Sequence, residues 1–361
     1  MSGLTFAMAG GGTGGHIIPA LAVAEELRRR GHHPFFIGTK NGMESRLVPA
    51  AGFEIEWINI GGLQRVGFLQ QLRTVVQLPV SVARTTNAYL HRRPAAVFSM
   101  GGYVAGPAVL AAWTRRIPIV LMEPNAIPGL TNRRMARFIT RALVNFEETA
   151  DWFPPGRAET TGVPVRQEFF QISEKPAGEQ FTLLITGGSR GSRTLNNAAR
   201  ESWPIFADAG APIRILHQTG TEMHQQLARE FEQTGLAGQV VPFIPDMPAA
   251  FASADLIICR AGASTVSELA AAGKPAVLVP FPFAADDHQR GNAEALVKAQ
   301  AARMVLDKEM NGERLFDEVA ALATGREALC DLGRNIRKFA RPGAASRAAD
   351  VLEEVAKKSR P

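Results

Sequence analysis

At 361 residues, with 46% hydrophobic and 20% charged positions, the chain is long enough for two cores and too evenly mixed to be disordered or fibrous. No apolar run approaches the roughly 18 residues of a membrane span, no basic stretch leads into a long apolar segment at the N-terminus, and two cysteines, Cys259 and Cys330, do not make a disulfide framework. A formal net charge of +6 points instead to an anionic partner.

In chain order, the apolar run Leu4–Met8 reads as a strand that ends in a glycine loop, Ala9-Gly10-Gly11-Gly12-Thr13-Gly14-Gly15-His16. Pro19–Arg30 reads as a helix with Leu21, Ala24 and Leu27 on one face and Gly31 as its stop. Pro34–Ile37, Ile55–Ile58, Ala96–Ser99 and Ile117–Leu121 read as further strands, and a second glycine cluster, Gly101-Gly102-Tyr103-Val104-Ala105-Gly106, follows the third of these. Phe153-Pro154-Pro155-Gly156 and the turn at Gly162-Val163-Pro164-Val165 mark a break. Beyond a polar, loop-like stretch to Gln180, the plan repeats with strands at Phe181–Ile185, Ile213–Gln218, Gln239–Pro242, Asp255–Cys259, Ala276–Val279 and Ala302–Leu306. Phe181–Ile185 again ends in glycine, at Thr186-Gly187-Gly188-Ser189-Arg190-Gly191. Arg341-Pro342-Gly343 breaks the last long helix, and Ala344–Lys357 can be helical again.

Strands alternating with helices predict α/β architecture: two Rossmann-like, doubly wound parallel sheets facing each other across a cleft. The expected domains are 1–162 with a C-terminal helix, 343–361, and 163–342.

A strand that runs through glycines into a helix presents bare amides and the positive end of the helix dipole, a setting for phosphate. Gly10, Gly12 and Gly15 fit the dinucleotide spacing, but no acid ends the strand Pro34–Ile37, where a ribose carboxylate would be needed; the first acid is Glu44. No glycine-lysine pair is followed by Ser or Thr, which argues against Walker-type binding. The most specific segment is Asp255–Pro282: strand, glycine turn, helix, glycine stop, strand. Within it Thr265-x-x-Glu268 has the spacing of a capping box. Glu268 is thus either a helix-start carboxylate or the acceptor of a ribose diol's hydrogen bonds, with Ser264 and Thr265 offering hydroxyls and amides to a diphosphate.

The positive charge is concentrated in the first half. From Trp57 to Met122 there is no Asp or Glu, against Arg65, Arg73, Arg84, Arg92, Arg93, Arg115 and Arg116. Glu123 is the only acid before Glu147, and Arg133, Arg134, Arg137 and Arg141 lie close by. Sparse aromatics and the lack of a lysine-rich tail argue against nucleic acid as the target.

The segment around Glu268 resembles the nucleotide-sugar signature of the GT-B glycosyltransferases. The whole chain most resembles the branch that moves N-acetylglucosamine from UDP-GlcNAc to lipid I, undecaprenyl-pyrophosphoryl-MurNAc-pentapeptide, to make lipid II. The motifs that carry the resemblance are Gly11–His16, Gly101-Gly102-Tyr103, Glu123-Pro124-Asn125, Gly162–Arg166, Gly187–Gly191, Phe243-Ile244-Pro245-Asp246-Met247, Arg260–Glu268 and Asp287-His288-Gln289. Arg190, Val163, Pro124 and His288 depart from the usual pattern of that branch. The alternative is another UDP-sugar transferase or an epimerase of the same fold.

The resemblance implies that Glu268 holds the ribose, that Ile244 meets uracil through its backbone, and that Arg166, Ser189, Ser264 and Thr265 serve the diphosphate. It implies that His288 and Gln289 contact the sugar, that Thr13, Gly14, Gly15 and Asn125 approach the transferred group, and that His16 and Asn125 line the acceptor side of the cleft. His16 and Asn125 are the catalytic candidates, with His16 as base. Gly101, Gly102 and Tyr103 are expected to cradle the acceptor's pyrophosphate. No cofactor and no metal are expected, since the chain has no Asp-x-Asp metal anchor. A polyprenyl acceptor implies work at an anionic bilayer, the cytoplasmic face of the inner membrane. Phe68, Leu69, Leu72, Val75, Val76 and Leu78 beside Arg65 and Arg73, with Trp113 beside Arg115 and Arg116, are the expected contact.

Overall fold

The structure, a computed structural model, describes residues 3–11, 14–61, 68–175, 180–210 and 212–359, with no side chains for 68–75. The chain divides into two compact units, Met1–Pro164 with Gly343–Pro361, and Val165–Pro342.

The first unit is built on seven parallel strands. β1 (Thr5–Ala9), β2 (His33–Gly38), β3 (Ile55–Trp57), β4 (Ala96–Ser99), β5 (Ile119–Glu123), β6 (Arg141–Val144) and β7 (Ala158–Thr160) lie in the order β3-β2-β1-β4-β5-β6-β7. The central strands are covered on both faces, which is why they read as unbroken apolar runs rather than alternating ones: β4 and β5 are buried throughout. On one face the helix Gly14–Arg29 packs Ile17, Val23 and Leu27 against Phe6, Met8 and Phe98. Gly31, at φ +84°, lets the chain turn out of that helix toward β2. On the other face Val104, Ala108 and Val109 of the 104–114 segment cover Ala7, Val97 and Leu121.

The last helix, Ala344–Lys358, completes the first of these layers, with Ala348, Val351, Leu352 and Val355 in the same core as Ile17 and Leu27. Arg30 fastens it through Asp350 (2.6 Å), Glu353 (3.0 Å) and Ser346 Oγ (2.7 Å). Arg347 on that helix grips both carboxylate oxygens of Glu159, at 2.6 and 2.9 Å.

The second unit has six parallel strands: β8 (Phe181–Thr186), β9 (Ile213–Gln218), β10 (Ala237–Val241), β11 (Leu256–Cys259), β12 (Ala276–Leu278) and β13 (Arg303–Met304), in the order β10-β9-β8-β11-β12-β13. Its core joins Leu183, Ile185, Ile215, Leu256 and Ile258 to Trp203, Phe206, Leu315 and Val319 from the helices.

Three expectations change. The first helix begins at Gly14, so the end of the glycine loop is already its first turn. Residues 167–170 form a short helix inside the stretch read as loop, with Phe169 buried against Phe251. Thr265 and Glu268 do not make a capping box: the helix is Ala263–Ala272, Gly262 is its N-cap, and no side chain caps it.

Candidate active site

Each sheet reverses its strand order once, between β1 and β4 in the first unit and between β8 and β11 in the second. Ligands of such sheets bind outside the carboxyl ends of the strands at that reversal. The residues picked out by sequence gather there, unit by unit.

In the first unit the loops after β1 and β4 touch. Met100 N donates to Ala9 O at 2.9 Å. Gly101 and Gly102 have φ of +85° and +76°, and a Cβ on Gly102 would stand 3.0 Å from Gly11 O and 3.3 Å from His16 Nδ1. Only glycine admits that approach. His16 Nδ1 lies 3.3 Å from Gly11 O. A carbonyl can only accept, so Nδ1 carries the hydrogen and Nε2 holds the lone pair of the neutral ring.

At the end of β5 the carboxylate of Glu123 is buried. Its Oε1 accepts from Asn125 N (2.9 Å) and Asn125 Nδ2 (3.1 Å), and its Oε2 from Asn132 Nδ2 (2.8 Å) and Gly129 N (3.1 Å). Burial pushes its pKa up to about 7 against the pull of these donors. Asn132 in turn lies against Gly101, whose added Cβ would be 2.8 Å from Asn132 Oδ1. Glu123, Asn132, Gly101, Gly102, His16 and Gly11 thus form one connected cluster. Asn125 is fixed in it by Glu123, Gly14 and Gly15 open the adjoining helix, and Tyr103 follows Gly102. Thr13 lies outside the described residues.

In the second unit, Gly188 (φ +84°) and Gly191 (φ +76°) shape the loop after β8, leaving Ser189 and Arg190 exposed. Ser192 then caps the helix Arg193–Asp208, its Oγ accepting from Leu195 N. Gln218, at the end of β9, binds Gly188 O through Nε2 (2.8 Å) and takes Ile244 N on Oε1 (2.8 Å). The backbone N–H of Ile244 is therefore used inside the protein. Asp246 caps the helix Met247–Ser253, accepting from Ala249 N at 3.0 Å, which accounts for the Pro-Asp-Met spacing.

Arg260, after β11, reaches Asp307 Oδ1 (2.5 Å), Ser192 Oγ (2.6 Å) and Val279 O (3.0 Å), tying together the loops of three strands. Ser264 and Thr265 sit in the first turn of Ala263–Ala272, where backbone N–H groups lack helical partners. Glu268 lies one turn further on. Desolvation pushes its pKa up to about 7, opposed by the charge of Arg166, which begins the helix packed beside it. After β12, Asp286 and Asp287 take left-handed φ of 51° and 53°, a strained pair that sets the direction of His288 and Gln289. His288 Nδ1 donates to Ala285 O (2.6 Å), and Gln289 Oε1 accepts from Phe281 N (3.0 Å).

Sequence reasoning gave no role to Gln218, Glu44 or Asn132. Each acts through a contact made across the chain, and only Glu44 had a hint, as the first acid after β2.

Residues 6–144 match the N-terminal domain of glycosyltransferase family 28, and residues 182–353 match its C-terminal domain. The chain belongs to glycosyltransferase family 28. This family 28 chain is 61% identical, over 98% of its length and 96% of the relative, to the UDP-N-acetylglucosamine–N-acetylmuramyl-(pentapeptide) pyrophosphoryl-undecaprenol N-acetylglucosamine transferase of Solibacter usitatus. It is 41% identical to the protein of the same name from Geotalea uraniireducens, over 96% of each chain. Among solved structures it is similar to MurG of Acinetobacter baumannii, with a TM-score of 0.82, 33% identity, and coverage of 97% of this chain and 99% of that one. The two parallel-sheet units of the family 28 chain are those of the GT-B class.

Proposed function

We infer that the chain transfers N-acetylglucosamine from UDP-GlcNAc to the C4 hydroxyl of the MurNAc residue of lipid I, giving lipid II and UDP. The observation that carries this reading is the near full-length identity of 61% to a transferase of that name. The clusters at the two strand reversals fit it.

The second unit takes the donor. Glu268 accepts from the ribose hydroxyls, Ile244 O accepts from uracil N–H, and His288 and Gln289 face the sugar. The first unit takes the acceptor, with the amides at Gly101 and Gly102 and the side chain of Tyr103 beside its pyrophosphate. Thr13, Gly14, Gly15 and Asn125 serve the transferred sugar. His16 Nε2 removes the C4 hydroxyl proton as that oxygen bonds to the anomeric carbon, and the bond from that carbon to the diphosphate oxygen breaks with inversion. Charge developing on the leaving diphosphate is met by the Gly187–Gly191 amides, Ser189, Arg166 and the first turn of Ala263–Ala272. No metal enters the scheme.

The first unit also carries the surface for an anionic bilayer on the cytoplasmic side of the inner membrane. Trp113 is 53% exposed and packs on Phe138, over which Arg137 lies. Arg115 and Arg116 follow on the same helix end, and Val76 and Val80 are exposed on the neighbouring helix. Leu78 is half-buried. Arg65 and the side chains of Phe68, Leu69, Leu72, Arg73 and Val75 lie outside the described residues. No helix among the described residues is long and apolar enough to cross a membrane.

The deciding experiment adds a lipid I analogue to enzyme and UDP-GlcNAc and follows UDP release together with disaccharide formation. Matched release and product are expected. UDP-GlcNAc consumption without a disaccharide product overturns the assignment.

A further inference from the structure

Glu44 has no surface exposed to solvent. Its carboxylate accepts from Thr39 N (3.0 Å) and from Thr39 Oγ1 (2.8 Å), both at Oε1. Thr39 Oγ1 also lies 3.3 Å from Tyr103 Oη, and Tyr103 is within hydrogen-bonding reach of the carboxylate as well. Since the Thr39 hydroxyl hydrogen goes to Glu44, its oxygen accepts from Tyr103, and the hydrogens run from Tyr103 through Thr39 to Glu44.

The space around the carboxylate is made by glycines. A Cβ on Gly11 would stand 2.8 Å from Glu44 Cδ and Oε1, one on Gly38 would stand 2.8 Å from Glu44 Cγ, and one on Gly42 would overlap the carboxylate. Gly11 belongs to the loop after β1, Thr39 follows β2, and Tyr103 belongs to the loop after β4. One carboxylate therefore touches all three. An acid that is buried, doubly bonded to Thr39 and walled by three glycines is expensive to keep unless its placement matters. It lies beside the strand reversal at which His16 and Gly102 meet.

We propose that Glu44 is a positioning residue for the acceptor: through Thr39 it fixes the Tyr103 hydroxyl, and through Gly11 it fixes the loop that carries His16. This rests on the reading that places Tyr103 on the acceptor side. It does not involve the second unit, so UDP affinity is spared, and the transferred sugar is affected only through the loop that carries Gly14 and Gly15.

The test is a double-mutant cycle on the full-length enzyme with Glu44→Gln, Tyr103→Phe and the pair, measuring KM for a lipid I analogue, KM for UDP-GlcNAc and calorimetric UDP affinity. Each single variant is expected to raise the acceptor KM about tenfold, with the pair also about tenfold rather than about a hundredfold, because both break one network. UDP affinity stays within about twofold, less than one broken hydrogen bond would cost, and KM for UDP-GlcNAc rises less than the acceptor KM. If Glu44→Gln does not fold, Thr39→Val takes its place in the cycle, since that hydroxyl is the link. Independent, multiplying costs overturn the proposal, as do an unchanged acceptor KM in Glu44→Gln and a donor KM raised as much as the acceptor KM. An unchanged acceptor KM in Tyr103→Phe overturns the acceptor assignment of Tyr103 itself, and the proposal with it.

Discussion

Ile244 gives its backbone N–H to Gln218 Oε1, and the same side chain's Nε2 holds Gly188 O, both at 2.8 Å. One amide thus joins the loop assigned to uracil with the loop assigned to the diphosphate. Replacing Gln218 by Leu leaves the buried N–H of Ile244 without a partner, at about 1–3 kcal/mol, while Gly188 O keeps only Gly191 N (2.9 Å). UDP-GlcNAc affinity should fall about tenfold or more in calorimetry, with a lower melting temperature, while a mutation that left affinity intact would show the two loops to be independently held.

The raised Glu268 predicts a pH-dependent donor affinity. Its carboxyl titrates at about 7 in the free protein, and the ribose hydroxyls bind its ionised form. Binding therefore expels the proton, and affinity for UDP-GlcNAc should fall as pH drops below about 7, by up to tenfold per unit. UDP-GlcNAc is the probe of choice because UDP has a terminal phosphate monoester that titrates near about 6. Glu268→Gln should bind weakly and without this slope. A flat wild-type profile between about pH 6 and 8 would contradict the ribose role.

Glu123 makes a prediction about stability. Its carboxyl moves from 4.5 in the unfolded chain to about 7 in the folded protein. The folded state holds the proton more tightly, so this contribution is full below about pH 4.5 and is lost as pH rises through 7. The shift corresponds to about 3 kcal/mol. In urea unfolding the wild type should lose ground to Glu123→Gln by that order across the window. Glutamine also presents one acceptor oxygen where four donors converge, so Asn125 is misplaced and kcat should drop at least about tenfold. Parallel pH curves for the two proteins would refute the linkage.

For His16, substitution by Ala should cost about a hundredfold or more in turnover with little change in UDP affinity. Near-normal turnover would leave His16 as a loop-bracing residue bonded to Gly11.

Binding to liposomes should require anionic lipid and weaken with salt, each arginine near the surface contributing about 1 kcal/mol. Trp113→Ala and Arg137→Gln should lower co-sedimentation without altering turnover on a short-chain, soluble acceptor. Binding indifferent to both lipid charge and salt would defeat the membrane reading.

Much of this arrangement was legible in the chain. Strands buried on both faces, such as Ala96–Ser99 and Phe181–Ile185, announce themselves as short apolar runs, and the glycine clusters at 10–15 and 101–106 stood out by density. Arg141–Val144 did not, because four residues directly after an arginine-rich stretch carry no periodicity. Ala158–Thr160 is a three-residue edge strand with the same problem. The capping-box spacing at Thr265 misled because the helix starts two residues earlier, at Ala263, on a glycine. The roles of Gln218 and Glu44 were hidden for a different reason, although Glu44 stood out as the first acid after β2. Their work consists of joining loops from separate strands, and no local pattern records which loops the sheet order brings together.

The helix Ala344–Lys358 has a consequence for the order of assembly. During synthesis the whole of 165–342 leaves the ribosome before the helix that covers Ile17, Val23 and Leu27. The unit begun first is finished last, and until then Arg30 lacks Asp350 and Glu353 while the apolar side of the helix Gly14–Arg29 and the neighbouring face of β4 stay partly uncovered. Shortening the chain at its far end should therefore expose apolar surface in the unit that holds His16 and leave the other unit intact.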